Sequence, residues 1–276
     1  TFMAWKLCDK YKLPRIIFVT GMDDDNASYR QIVEELTEKY GNIIAPFHMP
    51  IRQEQRLIGY ADITRMKARK FNGIAKFEDI EIPDYCMDYL KKYKDILDEA
   101  VASSDEDKMD KFFSGEEFTQ VEMDAGLKAD CVDGSIGPIT IGSGLHVHGV
   151  CMLMDCITKY MPAPYMIKTG INVKTNKLFD CYYDRNSFTV AKVFKTISDP
   201  YIGKYSIVKV YSGEIRPDMN IFSPLFDMEQ KIGRVYYISG SEFEATNRII
   251  AGDIGAIPKL VNVSTADTIS TRSEER

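Results

Sequence analysis

The run Pro14-Arg15-Ile16-Ile17-Phe18-Val19-Thr20-Gly21-Met22-Asp23 decides how the first part of the chain folds. Arg15 to Val19 is short, apolar and β-branched, with proline before it and polar turn residues Gly21 to Asn26 after it, which predicts a buried strand. Ser28 to Tyr40 then places Tyr29, Ile32, Val33 and Leu36 at helical spacing and stops at Gly41. A strand, a loop and a helix in that order begin an α/β unit.

Further along, Asn42 to Phe71 has a β pattern, and Asp84 to Ala102 reads as a long helix presenting Tyr85, Tyr89, Tyr93, Ile96, Leu97 and Val101. Between Asp95 and Asp124, eleven acidic residues stand against Lys108 and Lys111, a local charge of −9 in a chain of net −6. This run is either a solvated helical face or a docking face for a basic partner. Ile136 to Ile141 is a second apolar strand, followed by Gly142-Ser143-Gly144-Leu145 and a helix to Tyr160 that Pro162 and Pro164 close. The segment 165–187 is polar and irregular and is expected to hold the domain boundary. After it come short strands at regular spacing, at 188–197, 205–210, 219–222, 231–238 and 254–260, which predict a small all-β barrel or sandwich.

The 276 residues suffice for two domains, and 45% hydrophobic with 28% charged residues is a soluble globular balance. The acidic net charge excludes a protein that coats nucleic acid generally. No run approaches the roughly 18 apolar residues of a membrane span, so a cytoplasmic location without membrane contact is expected. Six scattered cysteines without a C-x-x-C pair read as reduced thiols. The first residue is Thr, and we expect an internal piece of a longer protein. Asp23-Asp24-Asp25 lacks the distal ligands of a calcium loop and reads as a turn, and His146-Val147-His148 reads as a helix-entry loop with no carboxylate beside it. The loops after the two strands, around Thr20 to Asp23 and Ser143 to Leu145, lie where open α/β sheets bind ligands.

These residues carry a resemblance. P-R-I-I-F-V-T-G-M-D resembles the stretch of translational GTPases ending in Asn-Lys-x-Asp, and I-T-I-G-S-G-L-H-V-H-G-V resembles their later Ser-Ala loop. Phe194 to Lys204, Val210 to Ile215 and Ala251 to Ala256 are similar to the second domain of elongation factor G, and Tyr160-Met161-Pro162-Ala163-Pro164 to the end of the family's GTPase domain. The resemblance implies an α/β remnant of a P-loop GTPase domain with an α+β insertion, followed by an all-β translation-factor barrel. Residues 1–164 would be the GTPase part with its insertion at about 42–135, 165–187 a linker, 188–270 the barrel and 271–276 a disordered tail.

It further implies that Asp23 accepts two hydrogen bonds from guanine, that Thr20 and Gly21 replace an Asn and a Lys, and that Ser143, Gly144 and Leu145 complete the base site for GTP or GDP. No G-x-x-x-x-G-K-[ST] occurs in the chain, so the chain by itself is expected to hold neither phosphates nor Mg²⁺ and not to hydrolyse GTP. The implied partner is the ribosome. Lys192, Lys195, Lys204, Lys209 and Arg216 of the barrel are candidates for small-subunit RNA, and Asp95 to Asp124 for the large-subunit stalk protein. The alternatives are a non-hydrolysing ribosome-binding paralogue and a ribosomal protection protein. With only two strands left of the sheet, an exposed apolar face is expected near Ile16, Phe18, Ile139 and Ile141, with self-association through it.

Overall fold

The structure is a computed structural model that describes residues 2–103, 105–163, 168–172, 175–199, 203–223 and 227–271. Pro164, Pro200 to Ile202 and the expected tail at 272–276 lie outside the described residues. The contacts divide the chain into two units, Thr1–Pro162 and Ala163–Arg276.

The first unit opens with α1 (Phe2–Tyr11), which Trp5 anchors by stacking on Tyr40 at 3.8 Å between ring centroids. The Arg15 guanidinium lies over the other side of Trp5 at 4.4 Å and pairs with Asp9 at 2.7 Å. The chain continues through β1 (Ile17–Val19), α2 (Tyr29–Tyr40) and β2 (Ile44–Pro46). Ser28 caps α2, its hydroxyl accepting from Gln31 N–H, and Gly41 ends it as expected, at φ +72°. After the insertion, β7 (Gly137–Ile141) runs parallel between β1 and β2, pairing Ile139 with Ile17 and Gly137 with Ile44. All five β7 residues are buried, as befits a parallel strand covered on both faces.

This corrects two expectations. The core sheet has three strands rather than two, because Ile44–Pro46 belongs to it and not to the insertion. Ile139 and Ile141 are fully buried, so the apolar face expected to drive self-association is absent there, while Ile16 and Phe18 are half-buried.

The insertion is an antiparallel meander, β3 (His48–Gln53), β4 (Arg56–Asp62), β5 (Lys67–Phe71) and β6 (Phe77–Ile80), followed by α3 (Asp84–Ala102), α4 (Glu106–Phe113) and α5 (Gln120–Asp133). The helix α3 has the expected bounds but a rotated face. Cys86, Leu90, Tyr93, Leu97 and Val101 are buried, whereas Tyr85 and Ile96 are exposed. Gly126 lets α5 approach α3 closely, since a Cβ there would sit 2.6 Å from Val101 Cγ1. A Thr119–Glu122 capping box starts α5, and Lys111 bonds Glu122 at 2.8 Å to hold α4 against it. The acidic run thus spreads over three helices rather than one face, and part of it, with Lys94 and Arg65, lines a cleft of about 550 Å³.

Inside α5, Asp130 is buried and its Oδ2 has no partner among the described residues. Burial first, and the Asp133 charge second, push its carboxyl up to about 6. A carboxyl raised in the folded state costs stability as pH rises from the unfolded value near 4 to the folded one, on the order of 2–3 kcal/mol in full above it. Urea denaturation of Asp130→Asn between about pH 4 and pH 7 is therefore expected to show a variant that gains on the native protein as pH rises. A constant difference would contradict this.

The second unit begins with a hairpin of β8 (Lys168–Ile171) and β9 (Leu178–Cys181), inside the segment read as irregular. Then follow β10 (Val190–Asp199), β11 (Gly203–Ser212), β12 (Glu214–Ile215), β13 (Asn220–Ser223), β14 (Met228–Lys231), β15 (Val235–Ser239), β16 (Glu242–Thr246), β17 (Ile249–Ile250), β18 (Ile254–Pro258) and β19 (Thr268–Ser270). Eight of them form one antiparallel sheet in the order β14-β13-β19-β10-β11-β18-β15-β16, and β12 pairs with β17. Val193, Val208, Val210, Ile215, Ile221 and Ile257 fill its core. The strand expected at 231–238 is two strands, parted at Ile232-Gly233-Arg234. All six cysteines are free thiols, and no helix of the described residues is long and apolar enough to cross a membrane.

Candidate functional site

The carboxyl ends of β1 and β7 bring two loops together. Gly142 N–H donates to Val19 C=O at 2.9 Å, and Met22 N–H donates back to Gly142 C=O at 3.1 Å. A side chain at 142 would break this join, because its Cβ would lie 2.3 Å from the His148 carbonyl oxygen and 2.6 Å from Phe18. The first loop turns at Gly21, φ +78°, buries Met22, and then closes on Asp24, whose Oδ1 accepts from Asn26 N–H at 2.8 Å. The second loop folds on itself. Ser143 N–H donates to His148 C=O at 3.0 Å and Ser143 Oγ accepts from His146 N–H at 3.2 Å, with Val147 and Gly149 both at positive φ.

Six residues singled out from sequence meet here. Gly144 N–H donates to Thr20 Oγ1 at 3.2 Å, so the threonine ties the loops. Gly21 and Leu145 stand exposed, the leucine at 82%. The Asp23 side chain is 23% exposed. The nearby Ser143 hydroxyl first, against the opposing cost of burial, sets its carboxyl below the usual range, with help from its own N–H and from His146 and His148. The result is an ionised acceptor of fixed position beside an open, partly apolar surface, suited to a flat ligand edge that carries two adjacent N–H donors.

Two contributors escaped the sequence reading. Arg52, from β3, donates through Nη2 to the carbonyls of Met22 at 2.7 Å and Asp24 at 3.0 Å, and its own backbone is bracketed by the Tyr85 hydroxyl at 3.0 Å. No local signal marks it, since its targets lie some thirty residues away. His146, read as having no carboxylate nearby, places Nε2 3.7 Å from Asp23 Oδ2. Among the described residues no group of three His, Cys, Asp or Glu could hold a metal ion.

The loop also makes room for one change. A Cβ on Gly144 would meet only Thr20 Oγ1, at 3.6 Å, an ordinary contact. Gly144→Ala is expected to leave urea stability unchanged or raise it by up to about 1 kcal/mol through a less flexible unfolded chain. A loss above that size would contradict the loop geometry.

On the second unit, Lys192 and Lys209 sit opposite each other in the β10–β11 register, and Lys195 is exposed. Lys204 Nζ instead donates to the Val263 carbonyl, and Arg216 pairs with Glu214, which also holds Arg185 at 3.2 Å. Two of the five cations named from sequence are thus engaged within the unit.

Residues 189–272 match the family described as elongation factor G domain 2. The crystal structure of a protein from Thermus thermophilus aligns with 99% of this chain at a TM-score of 0.80 and 22% identity, a likeness of fold. This chain spans 38% of that protein's length. Its second unit is thus matched by sequence to elongation factor G domain 2, and nearly its whole length by fold to the Thermus thermophilus protein.

Proposed function

We propose that the first unit is the base-binding part of a P-loop GTPase domain, that Asp23 reads a guanine base, and that the protein containing this chain acts on the ribosome as an elongation factor G-like factor. One observation carries the reading: the loops that bear Asp23 and Ser143 are joined by Gly144 N–H to Thr20 and by Met22 N–H to the Gly142 carbonyl. An ionised carboxylate there accepts from the ring N–H and the exocyclic amine of guanine, at about 1.5–3 kcal/mol for each charge-assisted bond. Gly21 offers no alkyl chain to lie over the base, so Leu145 is the apolar surface available. The residues fit a base but not its phosphates. No phosphate loop occurs in the sequence, and Mg²⁺ is assigned no ligand here, so hydrolysis needs groups outside these residues.

The test is equilibrium binding of GDP against ADP. GDP is expected to bind at least about tenfold more tightly, and equal affinities would overturn the reading. For the ribosome, Lys192, Lys195 and Lys209 are the cations left to meet RNA phosphates, and the acidic helices are left to meet a basic protein surface. Co-sedimentation with ribosomes is then expected to weaken steeply with salt, and salt-independent binding would remove the electrostatic account.

A further inference from the structure

Two imidazoles flank Asp23, and base reading as described uses neither. His146 is 56% exposed, with Nε2 3.7 Å from Asp23 Oδ2. That separation is too long for a hydrogen bond from neutral imidazole, but it is within ion-pair reach once the ring carries a charge. The His146 main chain is fixed, its N–H bonded to Ser143 Oγ and the turn set by positive φ at Val147 and Gly149. The His148 ring lies 5.6 Å from that of His146 and is itself stacked on Phe71 of β5 at 4.5 Å.

The titratable groups that face His146 are therefore Asp23, from the loop after β1, and His148, from its own loop; Phe71 is neutral. Asp24 turns its carboxylate to Asn26 N–H, and Arg52 spends its guanidinium on backbone carbonyls. Burial first, then the charge of His146, hold His148 below the usual imidazole range. The nearest imidazole to the carboxylate, and the more exposed of the two, is His146.

We propose that His146 competes with the base for Asp23: neutral, it leaves the carboxylate open to the edge of guanine, and protonated it takes that carboxylate and closes the site. This rests on the base-site reading given above. Proton and base then oppose each other, so nucleotide affinity falls as pH drops through the range where imidazole charges, and bound nucleotide opposes the proton by the same factor. The pair is partly solvated, which limits the effect to about two- to fivefold.

The experiment compares GDP affinity from about pH 8 to about pH 5.5 in the native protein and in His146→Gln, across the range where imidazole charges. The native protein is expected to lose about two- to fivefold more affinity than the variant, the titration of GDP itself being common to both. Parallel pH profiles with GDP still bound overturn the competition and leave the base site standing. No GDP binding at any pH overturns the base site and the competition with it. A second readout needs no nucleotide. The imidazole proton resonances of His146 at about pH 5.5 are expected to differ between Asp23→Asn and the native protein, and unmoved resonances overturn the pairing on which the competition depends.

Discussion

Asparagine in place of Asp23 is expected to weaken GDP binding by about tenfold or more and to reverse the preference between GDP and XDP. The carboxylate is an acceptor at both oxygens and so matches two donors on guanine. An amide keeps one acceptor and presents one donor, which leaves one guanine N–H facing an N–H while suiting the carbonyl that xanthine carries instead of the amine. Losing one or two charge-assisted bonds of about 1.5–3 kcal/mol each gives the stated range, with 1.4 kcal/mol to each factor of ten. Calorimetric titration with both nucleotides reads it directly. A variant that still prefers GDP would show that another group reads the base. Asp23 itself stays ionised well into acid. Its folded value is depressed, so its contribution is present above the ordinary carboxylate range and lost only as pH falls through the lower value. A decline in binding well above that lower value cannot then come from Asp23.

The second large effect is structural. Alanine at Gly149 would put a Cβ 2.1 Å from the Ile141 carbonyl oxygen and 2.9 Å from Gly142 Cα, at a backbone φ of +79°. Both obstacles are main chain at the end of β7, so no flexible side chain can yield. Strain and overpacking together are expected to cost about 3 kcal/mol or more in urea denaturation, and to abolish GDP selectivity by shifting Ser143 away from Asp23. The neighbouring Gly144→Ala, in open space, is the control. Equal stability of the two variants would contradict the described turn.

The contrast between these glycines also shows what a sequence carries. The strands β1 and β7 were legible as apolar, β-branched runs, and α2 as a periodic helix ending at a glycine stop, because each rests on local physics. The role of β2 was not. Ile44-Ala45-Pro46 looks like any short strand, and only its pairing with β7 places it in the core sheet rather than the insertion. Counting tyrosines as apolar rotated α3, since Tyr85 lies at the surface with its hydroxyl on the Arg52 backbone. The strand β16, Glu242-Phe243-Glu244-Ala245-Thr246, lies at the sheet's end with mostly charged and small residues, and its β character comes from pairing with β15. At the site, Thr20, Asp23 and Ser143 could be named from the ends of two strands. The grip of Arg52 on the first loop and the approach of His146 to Asp23 could not, for both join residues far apart in the chain.

Chemical-shift mapping on the ¹⁵N-labelled protein tests most directly whether these loops read guanine. On adding GDP, amide shifts are predicted to concentrate at Gly21, Asp23, Ser143, Gly144 and Leu145 and to be absent with ADP at the same concentration. Shifts of equal size with both nucleotides, or a GDP response that leaves Asp23 and Gly144 unmoved, would contradict it.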